Sequence, residues 1–227
     1  MMTNDSLTKT GAADIDTGSA RRGSRALLLD TAEQLIAEHG IGGVSLREIA
    51  AAAGQKNNSA VHYYFKDKQG LVDALIADRI AKVEEARSAI VEEAGDLTRY
   101  DAGALLRMMW QPMLDLCTQR GGAWVIQFHL SYHLSSLQNR TQLHPITADP
   151  DHHQASSKLL QALRANYPQL HIEQLRYRLG LIFMMFWTAV SRHDLALKNA
   201  DLAEQRHFSL DELVRMAIAA LGAPPAG

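Results

Sequence analysis

Residues 44–71 read VSLREIAAAAGQKNNSAVHYYFKDKQGL, and this stretch decides the fold. Ser45 stands three residues before Glu48, the spacing of a capping box in which hydroxyl and carboxylate each satisfy a backbone N–H that has no partner inside the helix. A short helix therefore starts at Ser45. Leu46, Ile49, Ala50 and Ala53 follow on one face at helical spacing, and Gly54 supplies the left-handed residue that ends the helix. The polar run from Gln55 to Ser59 makes a turn, and Ala60 to Phe65 form a second short helix closed by Lys66 and Asp67. Helix, glycine-containing turn and helix is the outline of a helix-turn-helix.

Working outward, Lys68 opens a long helix to about residue 93, along which Leu71, Val72, Leu75, Ile76, Ile80 and Val83 repeat at helical spacing. Upstream, a helix over 22–39 is expected, with Leu27, Leu28, Ala32, Leu35 and Ile36 inward and Gly40 as its C-cap. Residues 1–20, rich in Thr, Ser, Gly, Asp and Ala without periodicity, read as a disordered tail. Arg21, Arg22 and Arg25 follow it, a basic cluster that either reaches a phosphate backbone or opens a solvated helix. Downstream, helices are expected over 102–118 with a kink at Pro112, 123–138, 152–166, 168–193 and 209–221, with a loop over 140–151. Ser209 and Glu212 form a second capping box at the start of the last helix. Strand-like alternation is absent, and the fold class is all-α.

At 227 residues, 47% of them hydrophobic, the chain is long enough for one large domain or two modest ones around a buried core. The longest apolar run, 179–190, is interrupted by Gly180 and Thr188 and falls short of the roughly 20 residues of a membrane helix, so a buried helix and no membrane partner are expected. The lone Cys117 cannot form an internal disulfide and the N-terminus lacks the layout of a secretory signal, which points to the cytoplasm. The net charge of −2 carries no nucleic-acid signature by itself, but residues 21–70, with seven Lys and Arg against five Asp and Glu, form the one net positive segment.

No nucleophile stands with a base, no Gly-rich phosphate loop is present, and the carboxylates are spread over solvent-facing positions, so no catalytic residue and no cofactor is assigned. His129 and His133 share a helix face at metal-ligand spacing, with His144, His152 and His153 nearby. No Cys, Asp or Glu joins them at a recognised spacing, and no metal site is assigned.

The segments AEQLIAEHGIGGVSLREIAAAAG, residues 32–54, and YYFKDKQGLVDAL, residues 63–75, resemble the N-terminal signature of the TetR family of transcriptional regulators. That signature places a Thr or Ser cap before the second helix, a Tyr-rich recognition helix ending in Phe and a Lys opening the fourth helix. The resemblance implies about nine helices: a tail over 1–20, a DNA-binding domain over 21–67, a ligand-binding and dimerisation domain over 68–222 and a short tail over 223–227. The turn is one residue longer than the commonest family spacing. Counting back from Phe65, the family's phosphate-contacting Tyr falls on His62, the next Tyr on Tyr63, and the residue usually Thr on Ala60. The resemblance assigns Arg22, Ser45, Arg47, Lys56 and Lys68 to phosphates. Asn57, Asn58 and Ser59 share the helix cap and the first base contacts, since Asn pairs bidentately with adenine; the alternative is that the Asn pair only caps. Tyr64 and Phe65 are expected to pack inward.

By the same resemblance the larger domain takes a small-molecule effector. Met109, Trp110, Met113, Trp124, Phe128, His129, Tyr132 and His133, with Phe183, Met184 and Trp187 of the eighth helix, combine soft apolar walls with a few hydrogen-bonding tips. The competing reading of this stripe is plain core. The function implied is a homodimeric repressor, paired through helices 8 and 9 and released from a palindromic double-stranded DNA operator by a largely apolar or aromatic molecule. The rival readings are an activator and a helical protein-interaction module without DNA binding.

Overall fold

The computed structural model describes the backbone of residues 10–55, 59–139, 154–205 and 208–224, and the side chains of the same residues except 10–22, 60, 137–139 and 203–205. These residues form nine α-helices and no strand: α1 (Thr10–His39), α2 (Leu46–Ala52), α3 (Ser59–Phe65), α4 (Lys68–Ala94), α5 (Ala102–Gln119), α6 (Trp124–Asn139), α7 (Gln154–Asn166), α8 (Ile172–Lys198) and α9 (Leu210–Gly222). Short 3-10 turns cover Leu97–Arg99 and Ala200–Gln205. The helices fall into two compact units, one ending at Ile76 and the other beginning at Ala77, a division that lies inside α4. Among the described residues no helix is long and apolar enough to cross a membrane.

In the first unit α1 packs on α2 and α2 on α3. Leu28, Leu29, Ala32, Ile36, Ile49, Ala50, Val61, Phe65, Leu71 and Leu75 are buried there. The chain turns sharply after α1. Gly40 takes φ +74° and its N–H closes on the Ile36 carbonyl at 2.8 Å, while a Cβ on Gly43 would stand 2.2 Å from the His39 carbonyl oxygen. Only glycine fits that approach. The capping box expected at Ser45 is complete: Ser45 Oγ accepts from the Glu48 N–H at 3.2 Å, and Glu48 Oε2 accepts from the Ser45 N–H at 2.7 Å. Gly54 takes φ +69° after α2, the left-handed end that the sequence called for.

In the second unit α5 packs against α6, α7 and α9, and α8 against α6 and α9. Leu105, Leu106, Trp110, Val125, Ile126, Leu159, Leu163, Leu175, Phe186, Ala217 and Leu221 are buried in one core. Two side chains of α8 fasten helix ends at a distance. Asp194 accepts from the Ala123 N–H and from Gln127 Nε2, each at 3.2 Å, and so caps α6 from outside. Arg178 Nη1 donates to the Leu221 carbonyl at 2.7 Å and Nη2 to the Pro224 carbonyl at 3.2 Å, placing a cation on the C-terminal end of α9.

Several boundaries and faces differ from the sequence reading. α1 opens at Thr10 instead of near Arg22, taking in half of the expected tail; propagating an existing helix adds a hydrogen bond per residue without a new nucleus. Leu27, expected inward, is exposed, and Leu29 is buried in its place. α8 starts at Ile172 instead of Pro168, because His171 supplies the cap: its ring accepts from the Glu173 N–H at 3.4 Å and its own N–H donates to Gln174 Oε1 at 3.0 Å. α8 also runs on past His193 to Lys198. The expected loop over 140–151 and the histidines His144, His152 and His153 lie outside the described residues.

Candidate functional site

α3 has an inner and an outer edge. Val61 and Phe65 are buried, Ser59 and His62 are exposed, and Tyr63 is 71% exposed. Tyr64 is half-buried, against Tyr63 with ring centroids 5.1 Å apart, so of the two aromatic residues expected inward only Phe65 is fully so. Arg25, read from sequence as part of a basic cluster, lies with its guanidinium 5.5 Å from the centre of the Phe65 ring, a cation–π contact that holds α1 to the end of α3.

The end of α3 is tightly built. Lys66 takes φ +67°, in the left-handed region where a side chain is strained, and His62 Nδ1 donates to its carbonyl oxygen at 2.8 Å. Asp67 then caps α4 by accepting from the Gly70 N–H at 2.8 Å, and a Cβ on Gly70 would meet the Phe65 carbonyl oxygen at 2.2 Å. Around α3, Ser45 and Arg47 are exposed and Lys68 is half-exposed. Glu48 has its carboxyl held below the ordinary range by hydrogen bonds from the Ser45 side chain and backbone, so the cap keeps a full negative charge. Of the other expected DNA contacts, Lys56, Asn57 and Asn58 lie outside the described residues, as does the side chain of Arg22.

The expected effector residues lie in the second unit, where most join one chain of rings. Trp110 stacks on Phe186 with centroids 4.8 Å apart and 8° between planes, and meets Phe183 edge-on at 6.4 Å. Phe183 touches Trp187, Trp187 touches His129 and His133, His129 touches Phe128, and Phe128 touches Tyr132, with centroids 5.6–6.3 Å apart. Met109 and Met113 are buried in the same core, and Met184 packs against it. Trp124 is half-buried and lies instead under the Lys198 ammonium, 5.6 Å from its ring centre. His129 is fully buried and its Nδ1 donates to the Val125 carbonyl at 2.7 Å. Burial above all, and the Arg79 and Arg87 guanidiniums after it, push its pKa down to about 4, so the ring is neutral. Burial also lowers the pKa of His133.

A buried polar cluster escaped the sequence reading, which had placed the carboxylates on solvent-facing positions. Glu84 and Arg87 of α4 and Ser156 of α7 are all buried. Glu84 Oε1 accepts from the Ala155 and Ser156 N–H groups at 2.7 and 3.0 Å, and Oε2 accepts from Ser156 Oγ at 2.5 Å, a carboxylate set on the first turn of α7. Arg87 donates through Nη1 to Ser156 Oγ at 3.0 Å, and through Nε and Nη2 to the Met109 carbonyl at 3.1 and 2.6 Å. Burial lowers the Arg87 pKa to about 10 against the pull of Glu84, which leaves it charged at neutral pH. The available signal was position: Glu84 and Arg87 fall at helical spacing with Val83 and Val91, on the buried stripe of α4.

Among known proteins, a family model described as bacterial regulatory proteins, tetR family, matches residues 28–75. No curated protein matches the sequence. Solved structures with a similar chain trace include a Rhodococcus sp. protein described as a TetR-family transcriptional regulator, 16% identical with TM-score 0.49, covering 88% of this chain and 97% of that one. The regulator LfrR of Mycobacterium smegmatis, solved with proflavine, is 24% identical with TM-score 0.44, over 92% of this chain and 99% of that one. The fatty acid degradation regulator FadR of Bacillus halodurans is 16% identical with TM-score 0.42, over 88% and 99%. The matched segment contains the capping box, the whole of α3 and the Asp67 cap of α4, the features that build the helix-turn-helix. Over residues 28–75, then, the chain carries the helix-turn-helix segment that marks bacterial regulatory proteins of the tetR family.

Proposed function

We propose that the protein is a homodimeric repressor that leaves a palindromic operator when a largely apolar or aromatic small molecule binds its second unit. The observation that carries the DNA half is the outer edge of α3, where Ser59, His62 and Tyr63 are exposed on a helix anchored by buried Val61 and Phe65. Asn57, Asn58 and Ser59 read bases in the major groove, and Tyr63 and His62 meet the backbone beside them. Because His62 Nδ1 is committed to the Lys66 carbonyl, its other nitrogen donates to a phosphate only in the imidazolium form. Arg22, Ser45, Arg47, Lys56 and Lys68 bind phosphates, and the Ser45 hydroxyl suits this because its oxygen serves the cap while its proton is left to donate.

The ring chain from Trp110 to Tyr132, with Met109, Met113 and Met184, is the effector wall. Trp124, whose ring lies under Lys198, belongs to the rim of this site. Exposed Tyr177 and Leu181, four apart on one face of α8, and exposed Met216 on α9, which packs against α8, support pairing of two copies through these helices, since a surface carrying several large apolar side chains is covered when like faces meet. α4, one unbroken helix from Lys68 to Ala94, supports coupling between effector and DNA. A cytoplasmic location goes with this role.

The test is a gel shift on the DNA upstream of the protein's own gene. Wild-type protein gives a salt-sensitive, saturable shift, and Tyr63→Ala weakens it by about tenfold or more. Equal shifts of that fragment and random DNA would overturn the regulator reading.

A further inference from the structure

The ring chain of the second unit holds polar atoms that its own packing leaves unused. Trp110 is fully buried between aromatic partners, and its indole N–H has no hydrogen-bond partner among the described residues. At the far side of Phe183 and Trp187, Nδ1 of His133 is likewise buried and unpartnered among the described residues. Buried donors are nearly always satisfied in folded proteins, because an unmade hydrogen bond in a dry core is costly. A donor kept inside an aromatic layer is therefore a group awaiting an acceptor.

The layer also disfavours added positive charge. His129, in contact with Phe128 and Trp187, is held neutral first by burial and then by Arg79 and Arg87, two buried guanidiniums. Each of these has an acidic neighbour, Asp78 at 2.5 Å from Arg79 and Glu84 linked to Arg87 through Ser156, so burial more than net charge keeps a proton off His129 and would equally penalise a charged guest.

We propose that the effector is an uncharged aromatic molecule carrying a hydrogen-bond acceptor, and that Trp110 determines specificity by donating its indole N–H to that acceptor. The inference rests on the effector reading above and narrows it. Stacking on Phe183, Phe186 and Trp187 treats every flat hydrocarbon alike, whereas a site built to donate a hydrogen bond rejects the isostere that cannot accept one.

Three probes of one outline separate the possibilities: quinoline, with a ring nitrogen lone pair; naphthalene, with a C–H there; and N-methylquinolinium, with a fixed positive charge and no lone pair. Binding to the full-length protein is measured at neutral pH without DNA, by calorimetry. Quinoline is expected to bind at least about tenfold tighter than either analogue. Trp110→Phe keeps a ring and removes the donor, and is expected to bring quinoline to the affinity of naphthalene. Should that variant fail to fold, the wild-type protein decides: quinoline, and not naphthalene, shifts the Trp110 indole N–H resonance downfield, assigned among three tryptophans by elimination with Trp124→Phe and Trp187→Phe. Equal binding of quinoline and naphthalene, preference for the cation, an unmoved Trp110 resonance or no binding at all would overturn the proposal. A protein that shifts its own upstream DNA yet treats quinoline and naphthalene alike loses this inference and keeps the regulator reading. One that prefers quinoline but shifts no DNA does the opposite.

Discussion

The two units hold themselves together over different distances along the chain. In the first, the caps and turns around α2 and α3 are local, Ser45 with Glu48, His62 with the Lys66 carbonyl and Asp67 with the Gly70 N–H, none more than four residues apart, with the Arg25 guanidinium over the Phe65 ring as a longer tie. In the second, Arg87 reaches the Met109 carbonyl 22 residues on, Arg178 the Leu221 carbonyl 43 residues on, and Glu84 the Ser156 N–H 72 residues on. Local caps set where helices start and stop, and so set the presentation of α3. Long-range buried contacts instead set which helices lie side by side and in what register. On the function proposed above, a surface that reads DNA draws on the first kind of order and a wall that recognises a small molecule on the second.

The largest effect is expected where the long-range contacts meet. Glu84→Ala leaves two backbone N–H groups, the Ser156 hydroxyl and the Arg87 cation without their carboxylate, and is expected to cost about 3–5 kcal/mol. Tryptophan fluorescence during urea unfolding reports this cleanly, because Trp110, Trp124 and Trp187 all lie in the second unit. Glu84→Leu combined with Arg87→Met removes both charges together and should cost much less. A double variant as damaged as Glu84→Ala would mean that the cluster acts through shape and not through charge.

A smaller effect follows from His129. Its folded pKa of about 4 lies below the unfolded value of about 6.5, so the folded state binds fewer protons in between and stability falls as the pH is lowered through that range. The loss is about 1.4 kcal/mol per pH unit and about 3 kcal/mol in all. His129→Gln should flatten the acid limb of a plot of urea midpoint against pH; an unchanged limb would contradict the assignment.

The smallest effect belongs to the first unit. Ser45→Ala removes the cap acceptor and is expected to cost about 1 kcal/mol, seen as faster hydrogen exchange of α2 amides while the tryptophan-detected midpoint stays in place. A shift of that midpoint by the same amount would show that the local and long-range parts do not act separately.

The same contrast governs how much could be read in advance. The capping box at Ser45, the ends at Gly40 and Gly54 and the existence of nearly every helix were legible, since each depends on residues within one or two turns. The buried trio of Glu84, Arg87 and Ser156 was not: a Glu and an Arg three apart on a helix look like a solvated ion pair until α7, some 70 residues away, covers them. His171 was missed as the cap of α8 because histidine rarely does this work and Pro168 offered a more familiar start. Among the residues proposed to meet an effector, the rings were legible as a stripe, but Trp124 parts from the others because Lys198 and Asp194 hold the start of α6 from the far end of α8.

The most direct test of the central claim, that the outer edge of α3 reads DNA on behalf of a two-fold dimer, is a footprint of the purified protein on the DNA upstream of its own gene. The account predicts two symmetric half-sites protected about one helical turn or a multiple apart, with protection lost together in Tyr63→Ala. A single unpaired patch of protection, or a pattern unchanged in Tyr63→Ala, would contradict it.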